Sequence, residues 1–158
     1  ELCSFKGIGE AKAITILAAC ELGRRLKEEE PERKPVLRTS RDIYDWFYPI
    51  LADKQVEECH VVLLNQASRV VGSILVSQGG LSSASVDVRC IVREAIVRRA
   101  TAVAMCHNHP SGNLMPSRQD DGLTTAVRQA CYTMDIALLD HVIFTDSGYY
   151  SYADHGRL

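Results

Sequence analysis

The chain has no excess of positive charge: its 18 Lys and Arg face 20 Asp and Glu, for a formal charge of −2. This excludes a nucleic-acid binder that works through a global basic field, so any basic footprint has to be local. There is no run of 18 or more apolar residues, which excludes a membrane-spanning helix. No charged-then-apolar segment opens the sequence, so no secretion signal is expected. The chain begins at Glu1 inside what reads as a motif, and it is expected to be a piece of a longer protein. Its cysteines, Cys3, Cys20, Cys59, Cys90, Cys106 and Cys131, form no C-x-x-C pair, which excludes a zinc knuckle and a thioredoxin-type redox motif. Most of them lie in apolar stretches, where a free thiol behaves as a small hydrophobe; reduced thiols in a cytoplasmic protein are the expected state. No internal repeat is visible.

What is present suffices for one core: 46% of the 158 residues are hydrophobic. Residues 10–27 have helical spacing through Ala11, Ile14, Ala18 and Leu22. The stretch 27–35, K-E-E-E-P-E-R-K-P, has no apolar residue and two prolines, and reads as a solvated linker at a domain boundary. This divides the chain into a segment 1–30 and a domain 36–158. Thr39-Ser-Arg-Asp42 reads as a capping box that opens a second helix with Ile43, Trp46, Phe47, Ile50 and Leu51 on its apolar face. Residues 58–65 and 69–77 form an expected β-hairpin. A helix over 88–100, a buried strand over 101–106, a helix over 118–134, a strand over 136–144 and a last strand at Gly148–Tyr152 complete the pattern. This order predicts an α/β or α+β fold, a mixed β-sheet flanked by helices and preceded by a short helical segment.

His107 and His109 follow the strand 101–106. In extended chain, residues i and i+2 point to one side, so both imidazoles can reach one ion. Ser117-Arg-Gln-Asp120 opens the next helix and puts Asp120 in its first turn, where a carboxylate can turn back toward the strand end. Two imidazole nitrogens and one carboxylate leave the fourth tetrahedral position of Zn²⁺ open, the layout of a catalytic rather than a structural site. Singly, each piece has an ordinary reading: two His in a loop are usually just polar residues, and Ser117-x-x-Asp120 is an ordinary capping box. Jointly they form H-x-H-P-x₆-S-x₂-D, whose chance occurrence in a chain this long is on the order of 10⁻⁵ at average residue usage.

That combination resembles the metal-binding motif of the JAMM (MPN+) metallopeptidases. The surrounding sequence resembles one branch, the bacterial RadC family, in H-N-H-P-S-G at 107–112, P-S-R-Q-D at 116–120, L-L-D-H-V-I at 138–143, E-A-I-V-R-R-A at 94–100 and S-Y-A-D-H-G at 151–156. The resemblance covers about residues 36–158, with weaker similarity over the helix 10–27. It implies a JAMM/MPN-like fold with layering similar to that of cytidine deaminases, with His107, His109 and Asp120 as zinc ligands. It also implies a glutamate at the start of the first core strand as general acid/base. Glu57 fits that pattern; a one-residue slip in register would put Glu58 on the site face instead. Ser117 takes the implied role of oxyanion donor, alongside its role as helix cap. The sequence departs from the family at Val86-Asp87-Val88-Arg89, where a His-Pro-Arg turn is usual, which bears on how the helix from 88 begins and not on the metal motif.

Outside the motif, His141 reads as a structural histidine, with a supporting contact to the site as the alternative. His155 reads as a surface residue, and Cys106 is expected to point away from both histidines. Gly7-Ile8-Gly9 followed by Lys12 resembles the second half of a helix-hairpin-helix, which would aim backbone N–H groups at a DNA phosphate. Glycines before an amphipathic helix give the plainer reading. Three functions follow as expectations. The first is a zinc hydrolase of peptide or isopeptide bonds, acting on a peptide or protein substrate. The second is a DNA-associated protein of the repair type, in which the domain binds rather than cleaves. A zinc deaminase, the third, is set aside because H-x-E and P-C-x-x-C are both missing.

Overall fold

The computed structural model describes residues 2–28, 34–79 and 86–158. The chain divides into two units, Glu1–Arg33 and Lys34–Leu158. The first holds α1 (Glu10–Glu28), in agreement with the helical spacing. Most of the linker expected over 27–35 lies outside the described residues.

The second unit is α+β, and strand alternation organises it. Five strands run in the order β2-β1-β3-β4-β5: β1 (Glu58–Leu64), β2 (Val70–Gln78), β3 (Ala102–Asn108), β4 (Ala137–Thr145) and β5 (Gly148–Ser151). Only β3 and β4 are parallel; the other neighbours are antiparallel. Every residue of β1 and β3 is buried, as expected for central strands covered on both faces. One face takes Val62, Leu64, Ala104, Cys106, Val142 and Phe144 against α2 (Ser40–Leu51). The other takes Cys59, Val61, Leu63, Val103 and Met105 against α3 (Val88–Val97) and α4 (Arg118–Thr133). The three layers expected from the element order are present.

The helix ends follow local chemistry. The Thr39 side chain accepts from Asp42 N–H at 3.1 Å while Asp42 Oδ2 accepts from Thr39 N–H at 2.9 Å, closing the capping box at α2. The buried face of α2 is Ile43, Tyr44, Phe47 and Leu51; Trp46 and Ile50 lie at its margin. Asp87 caps α3 by accepting from Arg89 N–H, so a carboxylate opens the helix where the family usually has His-Pro-Arg. That helix stops at Val97, three residues earlier than the spacing predicts. Arg99 turns left-handed at φ 54°, and Ala100 N–H closes on Ala95 O at 2.8 Å. Strand β3 instead ends two residues later than expected, because His107 and Asn108 still pair with Ile143 and Phe144 of β4. That extension places the first histidine inside the sheet.

Candidate metal centre

His107 sits near the carboxyl end of β3, paired with Cys59 of β1 on one side and Ile143 of β4 on the other. The backbone N–H of His109 still donates to the Phe144 carbonyl at 2.9 Å, so the path past the strand holds to the sheet. The two Nε2 atoms meet at 2.9 Å. Asp120 reaches them from the first turn of α4. Ser117 N–H donates to Asp120 Oδ2 at 2.7 Å, and Asp120 N–H donates to Ser117 Oγ at 3.1 Å. This capping box turns the carboxylate back toward the strand end. Asp120 Oδ1 lies 3.2 Å from His107 Nε2, and Oδ2 lies 3.7 Å from His109 Nε2. Ligand atoms of the three residues all fall within 4.8 Å of one another, the only such group of His, Cys, Asp and Glu among the described residues. Burial raises the Asp120 carboxyl, but the His107 imidazole and the two Ser117 hydrogen bonds outweigh it and hold the group well below the usual carboxylate range.

The donor set suits a divalent transition metal. His109 Nδ1 lies 2.6 Å from the Asn113 carbonyl oxygen. A carbonyl only accepts, so Nδ1 carries the hydrogen and Nε2 presents a lone pair to the centre. Two imidazole nitrogens and a carboxylate, with room at a fourth position, match the ligand chemistry of zinc.

The register of β1 separates the two candidate glutamates. Both border the cleft at the centre, but Glu57, with the parity of Cys59, brings its Oε1 to 3.8 Å from His109 Nε2. Glu58 is buried and bonds instead to Lys54, His60 and Gln78. Burial raises the Glu58 carboxyl, while its hydrogen bonds to His60 and Lys54 outweigh that and lower it. Asn108, between the two histidines, clamps this segment: its Nδ2 donates to Val56 O at 3.0 Å and its Oδ1 accepts from Glu58 N–H at 2.7 Å. Gly79 N–H adds a bond to Glu57 O at 2.7 Å. Glu57 is thus fixed by its backbone on both sides while its side chain stays 61% exposed.

Ser117 is the N-cap, and its hydroxyl donates to Asp120 Oδ2 at 2.7 Å. Cys106 packs on the α2 face, away from both histidines. Cys59 lines the cleft, and burial pushes its thiol up to about 12, which leaves it neutral. All six cysteines are free. The exposed His155 stacks on Tyr150, with ring centroids 4.1 Å apart. The cleft has a volume of about 460 Å³, with Met115, Pro116 and Leu123 as its apolar wall, and no Lys or Arg among its described lining.

His141 carries more than a plain structural reading. It is fully buried in β4, with Nε2 2.8 Å from His107 Nδ1 and Nδ1 2.6 Å from Thr124 Oγ1. Burial, reinforced by His107, pushes its imidazole well below the ordinary histidine value. Sequence reasoning passed over Asn108, Asn113 and Thr124. For Thr124 a signal existed: it lies one helical turn after Asp120, on the same face of α4. In the first unit, Gly7 turns left-handed at φ 94°, and the Lys12 ammonium donates to the Gly7 carbonyl at 3.0 Å. Gly7, Gly9 and Lys12 are all exposed at the start of α1.

Comparison with known proteins follows the same line. The family model described as RadC-like JAB domain matches residues 37–157. A UPF0758 protein of Flavobacterium johnsoniae is 40% identical over 156 residues, covering 99% of this chain and 68% of the relative. One from Porphyromonas gingivalis is 43% identical over 156 residues, covering 98% and 69%. One from Rubrobacter xylanophilus is 41% identical over 158 residues, covering 100% and 69%.

Proposed function

This chain belongs to the RadC-like JAB domain family, and on that premise we propose that it is a zinc-dependent hydrolase of amide bonds, peptide or isopeptide, in a peptide or protein substrate. The observation that carries the reading is the convergence of His107, His109, Asp120 and Glu57 on one cleft. His107, His109 and Asp120 hold the metal. When bound, zinc supplies Lewis acidity, polarising a carbonyl and acidifying water. Glu57 takes the proton from the attacking water and carries it to the leaving amine, so that hydroxyl ends on the acyl carbon and hydrogen on nitrogen. Its exposed side chain on a clamped backbone suits that transfer. Ser117 keeps its oxygen as the cap of α4 and turns its hydrogen from Asp120 Oδ2 to the developing oxyanion. The described lining carries no Lys or Arg to pair with phosphate oxygens beside the metal, which favours an amide over a phosphodiester. Unpaired thiols support a reducing, cytoplasmic setting, and among the described residues no helix is long and apolar enough to cross a membrane.

The test is metal analysis with hydrolysis of a peptide library and of isopeptide-linked substrates. About one zinc per chain is expected, lost in the His107→Ala/His109→Ala double variant; Glu57→Gln keeps zinc and loses hydrolysis. Unchanged zinc in the double variant would sink the metal site. Full turnover by Glu57→Gln would sink the mechanism.

A further inference from the structure

A run of hydrogen bonds leads from the Asp120 backbone carbonyl through Thr124 and His141 to His107, and so joins two residues of the centre. Thr124 lies one turn after Asp120 in α4, and its hydroxyl donates to the Asp120 backbone carbonyl at 2.7 Å. A threonine hydroxyl has a single hydrogen, and a carbonyl can only accept. That hydrogen is therefore committed, and Thr124 Oγ1 must accept from its other partner, His141 Nδ1, at 2.6 Å. His141 thus carries its hydrogen on Nδ1. It is fully buried, and among the described residues no carboxylate bonds to either ring nitrogen: its side-chain hydrogen bonds go to Thr124 and His107, and the flat face of Tyr152 stacks on it at 5.1 Å and 10°. The neighbouring carboxylate, Asp140, spends its oxygens on Ser151 Oγ and on the backbone N–H groups of His141 and Ala153. A second proton on His141 would be an unpaired buried charge, which is costly. Its Nε2 is therefore an acceptor, and His107 Nδ1, 2.8 Å away, must be the donor. With hydrogen on Nδ1, Nε2 is the His107 nitrogen turned to the centre, where it faces His109 Nε2 and Asp120 Oδ1.

We infer that Thr124 and His141 are positioning residues that lock His107 in the Nδ1–H form, so that its Nε2 is open to a metal before any metal arrives. The inference rests on the metal reading proposed above. Asp120 has two linked roles in it: its carboxylate is a ligand, and its backbone carbonyl, through Thr124 and His141, sets the hydrogen on a second ligand. The Nδ1–H of His109 is fixed separately, by the Asn113 carbonyl. Without the Thr124 hydroxyl, His141 has no acceptor for Nδ1–H, and its hydrogen moves to Nε2. It then donates to His107 Nδ1 and forces the His107 hydrogen onto the metal-facing nitrogen.

The test uses the whole chain, ¹⁵N-labelled and metal-free, with NMR correlations between imidazole nitrogens and ring hydrogens to read each tautomer. Wild type is expected to show Nδ1–H at both His107 and His141. Thr124→Val, nearly the same in shape, should populate Nε2–H at His107 and weaken zinc binding by roughly 10- to 100-fold, the usual cost of losing a partner that orients a ligand. Thr124→Ser restores the hydroxyl and should bind zinc as wild type does. His141→Gln places an amide oxygen near the position of Nε2 and should retain most of the affinity, whereas His141→Leu should not. The visible spectrum of the cobalt-substituted protein follows the same order. The inference is overturned by Nε2–H at His107 in the metal-free wild type, or by wild-type zinc affinity in Thr124→Val. If wild type takes up no metal, the proposed function falls, and the tautomers still decide whether the lock exists.

Discussion

Two adjacent glutamates, Glu57 and Glu58, face opposite sides of β1 and give opposite expectations on mutation. Glu57→Gln changes an exposed side chain, so its stability should stay within about 0.5 kcal/mol of wild type while hydrolysis is lost. Glu58→Gln disturbs a buried cluster with Lys54, His60 and Gln78 and should cost about 1–3 kcal/mol in denaturant unfolding. The pH dependence of unfolding checks the assignment. The folded-state pKa of Glu58 lies below its ordinary value, so its contribution is complete above about 4.3 and is lost as pH falls toward the lowered native value. Glu58→Gln should flatten that part of the acid limb, and Glu57→Gln should leave it in place. An acid limb unchanged by Glu58→Gln would contradict the buried pairing.

Among the elements, α2 and α4 begin in the same way, with Thr39/Asp42 and Ser117/Asp120 capping boxes, but only α4 opens onto the cleft. Thr39→Ala and Ser117→Ala should each lower unfolding stability by about 1 kcal/mol, the usual cost of removing an N-cap side chain. Thr39→Ala should leave hydrolysis per folded molecule unchanged, whereas Ser117→Ala should reduce it by on the order of 10²-fold, as for loss of one oxyanion donor. Equal activity in both variants would confine Ser117 to its structural role. Both capping boxes were legible in the sequence because a cap is local, three residues apart along the chain. The end of α3 was not: its apolar spacing continues past Val97, and the left-handed turn at Arg99 that stops it is a backbone event the spacing does not encode.

On the scale of the whole molecule, the three candidate ligands come from a strand end and a helix start that the unfolded chain does not hold together. A metal that binds only the folded form stabilises it by mass action, by about 2.7 kcal/mol when free metal is 100 times Kd. Adding zinc to chelator-treated protein should therefore raise Tm with metal concentration, and His107→Ala/His109→Ala should abolish that rise. A thermal scan indifferent to zinc in wild type would argue against a centre at this junction.

The sequence by itself determined which side chains could hold a metal, the capping boxes and the alternation of buried strands, because each is a matter of spacing within a few residues. It left Glu57 against Glu58 open and favoured a structural role for His141. Both depend on contacts between segments far apart in the chain. The side that Glu57 faces is set by the register of β1 on β3, which pairs Cys59 with His107, and by the Asn108 side chain that grips the backbone around it. His141 reaches His107 because β4 lies parallel to β3, which brings together side chains 34 residues apart. A zinc-like constellation can be written in a short motif. Which neighbours aim its nitrogens is decided by strand order and register, and those are properties of the sheet as a whole.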